Sequence, residues 1–176
     1  MSNCTNFSNM FYGCTSLSNI KPLEKWNVSN CTNFSNMFNG CTSLCDINSL
    51  ENWDVSNSNS FSYMFYGCSS LSNIKSLEKW NVSKCKNFSY IFHGLNRLTD
   101  ISPLGKWKSS NEVELNDKPS SSDFKIISID FSSMFAYCSS LSNINGIEAW
   151  NVYSVTNFNY FFRNCTSLYD IKALEK

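Results

Sequence analysis

Apolar residues recur at nearly every third position along this chain. From Cys14 the series runs Leu17, Ile20, Leu23 and Trp26; after a one-residue slip it resumes at Val28 and continues through Cys31, Phe34, Met37 and Phe38. An amphipathic helix repeats at about 3.6 residues and a half-exposed strand at about 2, so neither gives this spacing. A period of three suits short strands and 3₁₀ turns alternating around a tight coil, with one inward residue on each short edge. On this pattern residues 16–20 and their equivalents are expected to form a short parallel strand. Residues 35–38 are expected to form a helical or 3₁₀ turn, ended by Gly13, Gly40, Gly67 and Gly94, where a positive φ is tolerated. Residues 26–30 and 53–57 read as corners, because Asn, Asp and Ser there can bond their own backbone.

The series itself repeats. Residues 14–40 read CTSLSNIKPLEKWNVSNCTNFSNMFNG, and the 27-residue pattern restarts at Cys41, Cys68, Leu95, Cys138 and Cys165, the last copy being unfinished. A half copy, MSNCTNFSNMFYG, precedes the first. A fixed period in the range of about 20–50 residues is the signature of a solenoid. The expected fold is therefore an α/β repeat solenoid, a single domain over residues 1–176 with about six coils. Leu17, Ile20, Trp26 and Phe11 each recur at the repeat interval, and each ladder is expected to form a buried spine. In the fourth copy Phe131 follows Trp107 by 24 residues where the other copies have 8, which places an inserted loop near 108–124, KSSNEVELNDKPSSSDF. It reads either as a binding loop or as a neutral excursion. The chain opens within a coil and stops before a Trp slot, and neither end copy is atypical. Self-association through uncapped end coils is one expectation; capping by other segments is the other.

Composition narrows the function classes. The formal net charge is zero and 16% of residues are charged, so no strong field favours nucleic acid or an anionic membrane. Aromatic residues make up 15%, more than a disordered chain carries. No run approaches the roughly 18 apolar residues of a membrane span. No signal peptide is visible, since the first residues are already repeat sequence.

Nine cysteines are present. Cys14, Cys41, Cys68, Cys138 and Cys165 hold one repeat position, which Leu95 also fills; Cys4, Cys31 and Cys85 hold another, which Ser58 and Val155 fill. A position open to Cys, Leu, Ser or Val reads as buried packing, so free thiols are expected, and a reducing compartment is favoured. No CxxC pair, Gly-rich phosphate loop or Gly-x-Ser-x-Gly motif occurs. The lone histidine, His93, occupies a variable slot that is expected to be exposed, shared with Tyr12, Asn39, Tyr66, Ala136 and Arg163. No catalytic, cofactor-binding or metal site is assigned, and no cofactor is expected. Glu24, Glu51, Glu78 and Glu148 read as a solvated edge. Eight Asn-x-Ser/Thr sequons, among them Asn27, Asn30 and Asn33, read as a by-product of turn chemistry.

The segments MFYGCTSLSNI (10–20), WNVSNCTNFSNMFNGCTSL (26–44) and WDVSNSNSFSYMFYGCSSL (53–71) resemble the BspA-like leucine-rich-repeat surface proteins, of the 26-residue bacterial surface protein repeat type. That resemblance implies leucine-rich-repeat-like coils, a cell-surface or secreted location, and adhesion or protein binding. It transfers no catalytic residue. Three readings follow. The first is a binding or adhesion module for a protein or a cell-surface polymer. The second is an intracellular interaction scaffold, in keeping with free cysteines and a cytoplasmic location. The third is an enzyme, whose activity would have to depend on a residue such as His93.

Overall fold

The computed structural model describes residues 3–107 and 128–175. Successive repeats lie side by side in parallel, joined backbone to backbone. Phe7, Asn9, Phe11 and Gly13 donate their N–H groups forward to the carbonyls of Asn33, Ser35, Met37 and Asn39, at 2.7–3.0 Å. The same four bonds recur from Phe34, Asn36, Phe38 and Gly40, and again from Phe61, Tyr63, Phe65 and Gly67. The intervening N–H groups of Met10, Tyr12 and Cys14 turn back to Phe7, Asn9 and Phe11. Alternate residues therefore bind the next coil and close turns within their own. Parallel bridges Asn6↔Asn33, Asn33↔Ser60, Ser60↔Asn87 and Asn87↔Asp130 line the start of this arm. Two short strands, β1 (Ile129–Asp130) and β2 (Val155–Asn157), pair in parallel beside them.

The expected elements are exchanged between the two arms of the coil. Residues 16–20 form no strand, and only the bridge Asn143↔Asp170 falls on that arm. Residues 35–38 form successive turns, not a helix. The 3₁₀ helices lie instead at Lys21–Lys25, Asn48–Leu50, Lys75–Leu77, Ser102–Lys106, Ile147–Ala149 and Lys172–Leu174. No α-helix occurs among the described residues, so the α component of the expected class is absent from them. The reason is backbone handedness. Asn36 and Gly40 have φ of 60° and 75°. Left-handed residues at these two positions, four apart, break a helix, and their N–H groups turn to the Ser62 and Tyr66 carbonyls of the neighbouring coil. On the other arm Asn19 Oδ1 accepts from Lys21 N at 3.0 Å and starts the 3₁₀ turn. Ile20, Leu23 and Trp26 then share one side, as three residues per turn requires.

Corners are built by the polar residues. Asn6, Asn33 and Asn87 accept from the N–H two residues on, at 2.8–2.9 Å. Asn27, Asp54 and Asn81 do the same at 3.1 Å. Sequon-like Asn-x-Ser triplets are thus the chemical signature of an Asx turn.

The core is a set of ladders between these corners. Phe38 stacks on Phe65 at 5.7 Å, and Phe34 on Phe61 at 5.6 Å, with planes within 4° and 7°. Later Trp residues also reach back one coil: Nε1 of Trp53, Trp80 and Trp107 donates to the carbonyls of Leu23, Leu50 and Leu77 at 2.8–3.0 Å. The expected insertion at 108–124 lies outside the described residues. The coils on either side of it are adjacent, since Phe92 stacks on Phe135 at 5.6 Å. Where those coils meet, a Cβ on Gly105 would lie 2.8 Å from the Gly146 carbonyl oxygen, so two glycines permit the approach.

Candidate functional site

Two of the repeat's positions vary on one edge of the stack. One is the left-handed position held by Asn9, Asn36, Tyr63, Tyr90, Ser133 and Tyr160. The other lies three residues later, at Tyr12, Asn39, Tyr66, His93, Ala136 and Arg163. The intervening turn brings each pair together. Asn39 Nδ2 donates to Asn36 Oδ1 at 2.8 Å in one coil; Tyr63 meets Tyr66 at 5.6 Å in the next, and Tyr90 meets His93 at 5.5 Å in the one after. The edge thus changes from amide to aromatic along the stack.

Stacking also runs between coils. Tyr63 lies on Tyr90 at 4.5 Å with planes 6° apart, and Tyr66 lies on His93 at 4.5 Å and 14°. His93 then meets Tyr137 at 5.0 Å. The Arg163 guanidinium covers both Tyr137, at 5.8 Å, and Tyr160, at 5.2 Å. Tyr66, Tyr90, His93, Tyr137, Tyr160 and Arg163 together line an open concavity. No carboxylate among the described residues forms an ion pair with Arg163.

The backbone is demanding at these positions. Tyr63, Tyr90 and Tyr160 have φ of 58–59°, and Tyr137 has φ 61° where four other copies have Gly. A left-handed conformation costs a residue with a Cβ roughly 1–2 kcal/mol, and Asn tolerates it better than Tyr. The bonds that the N–H groups of Tyr63, Tyr90 and Tyr137 make to Ser89, Ser132 and Arg163 of the next coil offset part of that cost.

His93 departs from its expected exposure. It is half-buried between Tyr66 and Tyr137. Burial holds its pKa below the ordinary imidazole value, and the nearby Arg163 charge lowers it further. Sequence reasoning missed the strip because its rings come from different copies. The available signal was Tyr63 and Tyr66 at the two positions where the copy before carries Asn36 and Asn39.

All nine cysteines are free. Cys41, Cys68 and Cys165 donate Sγ–H to the carbonyls of Phe11, Phe38 and Phe135 at 3.1–3.2 Å. Burial pushes the Cys41 and Cys165 thiols up to about 11 and Cys85 to about 12; Cys68 and Cys138 are also raised. Cys14 is exposed, contrary to the packing reading, and Cys45, outside the two recurring positions, is exposed as well. Cys45 takes an outward slot that Ser18 and Ser72 fill elsewhere, and no preceding coil among the described residues covers Cys14. The acidic edge is partly paired: Glu51 meets Lys79, and Glu78 meets Lys106, each at 2.6 Å. Among the described residues no group of three or more His, Cys, Asp or Glu is placed to hold a metal, and no helix is long and apolar enough to cross a membrane.

Residues 5–125 and 124–174 match a family described as "Mycoplasma protein of unknown function, DUF285". The chain belongs to that family. No curated protein matches it. A leucine-rich repeat protein from Bacteroides ovatus ATCC 8483 is 13% identical over 95% of this chain and 70% of its own, with a TM-score of 0.30. An internalin from Listeria monocytogenes str. 4b F2365 is 14% identical over 90% of this chain and 67% of its own, with a TM-score of 0.15. Likenesses this remote add nothing to the coil geometry read from the hydrogen bonds.

Proposed function

We propose that this protein is a non-enzymatic binding module, a leucine-rich-repeat-type solenoid whose aromatic edge holds a protein partner. The stacked coils act as a rigid scaffold, and the varying edge positions supply recognition. The observation that carries this reading is the Tyr63–Tyr66–Tyr90–His93–Tyr137 strip. Tyr63, Tyr90 and Tyr137 occupy left-handed backbone where Asn or Gly is locally easier, so stability alone does not select them. Tyrosine and arginine are also the residues that dominate binding energy at protein interfaces.

The motifs that resemble BspA-like repeats support a cell-surface or secreted location with an adhesive role. The free thiols favour the other reading, an intracellular scaffold. A photo-crosslinking residue placed at position 66, with a control at Lys25, tests the site in cells of the native source. A discrete protein adduct is expected from position 66 alone. Equal adducts at both positions, or none, would exclude the strip. External protease on the same intact cells separates the locations: digestion supports the surface, and protection supports the scaffold.

A further inference from the structure

We infer that the Arg163 end of the strip receives a carboxylate from an acidic peptide segment of the partner. This rests on the binding-module reading and adds the chemistry of the ligand. Tyr63, Tyr66, Tyr90 and His93 each have a ring face against a neighbour in the ladder, and Arg163 covers Tyr137 and Tyr160. The faces engaged in these stacks are closed to a stacking ligand such as a sugar ring. What the ladder presents outward is ring edges, the positive part of the aromatic quadrupole. Arg163 adds a full positive charge that no carboxylate among the described residues neutralises. Lying over two rings orients the guanidinium without using its N–H fork in an ion pair, and that fork matches a carboxylate in two-point geometry. Charge complementarity therefore selects an acidic segment. The ladder runs along the coil axis, which suits an extended chain with apolar or aromatic residues beside its Asp or Glu.

Two substitutions separate binding from folding. Arg163→Ala removes an exposed side chain with no ion pair among the described residues. Tyr137→Gly restores the residue that Gly13, Gly40, Gly67 and Gly94 supply at φ 66–75°, so it relieves the backbone while removing a platform ring. The experiment pans a display library of random linear peptides on the immobilised full chain, then measures a synthetic copy of a selected peptide against each variant.

Enrichment in Asp and Glu is expected. Affinity for the selected peptide should fall about tenfold or more in Arg163→Ala, the scale of a lost charge-assisted hydrogen bond, and should weaken with added salt. It should also fall in Tyr137→Gly, with unchanged or raised thermal stability. Selected peptides without acidic residues, or acidic peptides that bind Arg163→Ala as well as the parent, would overturn the carboxylate assignment and leave a peptide-binding edge standing. Arg163-dependent binding of a sulfated polysaccharide with no acidic-peptide binding would replace the partner class. No enrichment at all would overturn both this inference and the protein-binding reading beneath it.

Discussion

Trp80 acts in two ways at one position. Its ring packs against Phe61 at 5.4 Å, and its Nε1 donates to the Leu50 carbonyl at 2.9 Å. Leu50 O also accepts from Trp53 N at 3.1 Å, so it keeps one bond when the indole is lost. Trp80→Phe is therefore expected to cost only about 1 kcal/mol, the net value of one hydrogen bond. Trp80→Ala should cost about 3–5 kcal/mol, because it also opens a cavity in the ladder. Asn39→Ala, at a variable surface position, should change stability little. Urea midpoints for the three variants decide the matter; equal midpoints for Trp80→Ala and Asn39→Ala would refute the structural role of the Trp ladder. The inward direction of Trp was legible from its recurrence. Its hydrogen bond was not, since the acceptor lies one coil back.

At the scale of the turn-forming arm, handedness is the controlling variable. Gly40 has φ 75°, while the same slot is held by Tyr137 at 61° and Asn164 at 57°. The slot therefore demands a left-handed residue, with Gly as its easiest occupant. Gly40→Ala should cost about 1–2 kcal/mol through that conformation alone, and Gly40→Asn less, since Asn tolerates it better. A Cβ at Gly40 meets only the Gly13 backbone, at 3.6 Å, so no clash confuses the comparison. Thermal melts should rank parent, Asn, Ala in falling order; Ala above Asn would contradict the account. The exchange of strand and 3₁₀ turn between the two arms belongs to this scale as well. Both arms show the same three-residue hydrophobic spacing, so periodicity alone could not say which one pairs by backbone.

Across the whole molecule, burial sorts chemically identical thiols. Cys14 and Cys45 are exposed, whereas Cys41, Cys68, Cys85, Cys138 and Cys165 are buried. A maleimide at neutral pH should label Cys14 and Cys45 on the native protein, with the buried set reacting only on unfolding. Peptide mapping by mass spectrometry reads the order, and early labelling of Cys68 would overturn the stacked core. The same thiols link stability to pH. Their folded pKa values lie above the ordinary value of 9.0. The stabilising effect is complete below that value and is lost as pH rises through 9 toward the folded values, so the melting temperature should fall over that window.

The sequence by itself determined the period, the ladders, the Asx corners and the free-thiol character of most cysteines. Each of these rests on recurrence within one chain or on bonds between near neighbours, such as Asn27 Oδ1 to Ser29 N. Only the tertiary structure decided which arm carries the parallel bridges, that Cys14 and Cys45 lie outside, and that His93 is sandwiched between tyrosines of other coils. Those features depend on contacts between residues one or more repeats apart. The direction of an N–H at φ near 60° and the neighbour of a side chain across the coil gap have no counterpart in local spacing, and they exist only once the coils are stacked.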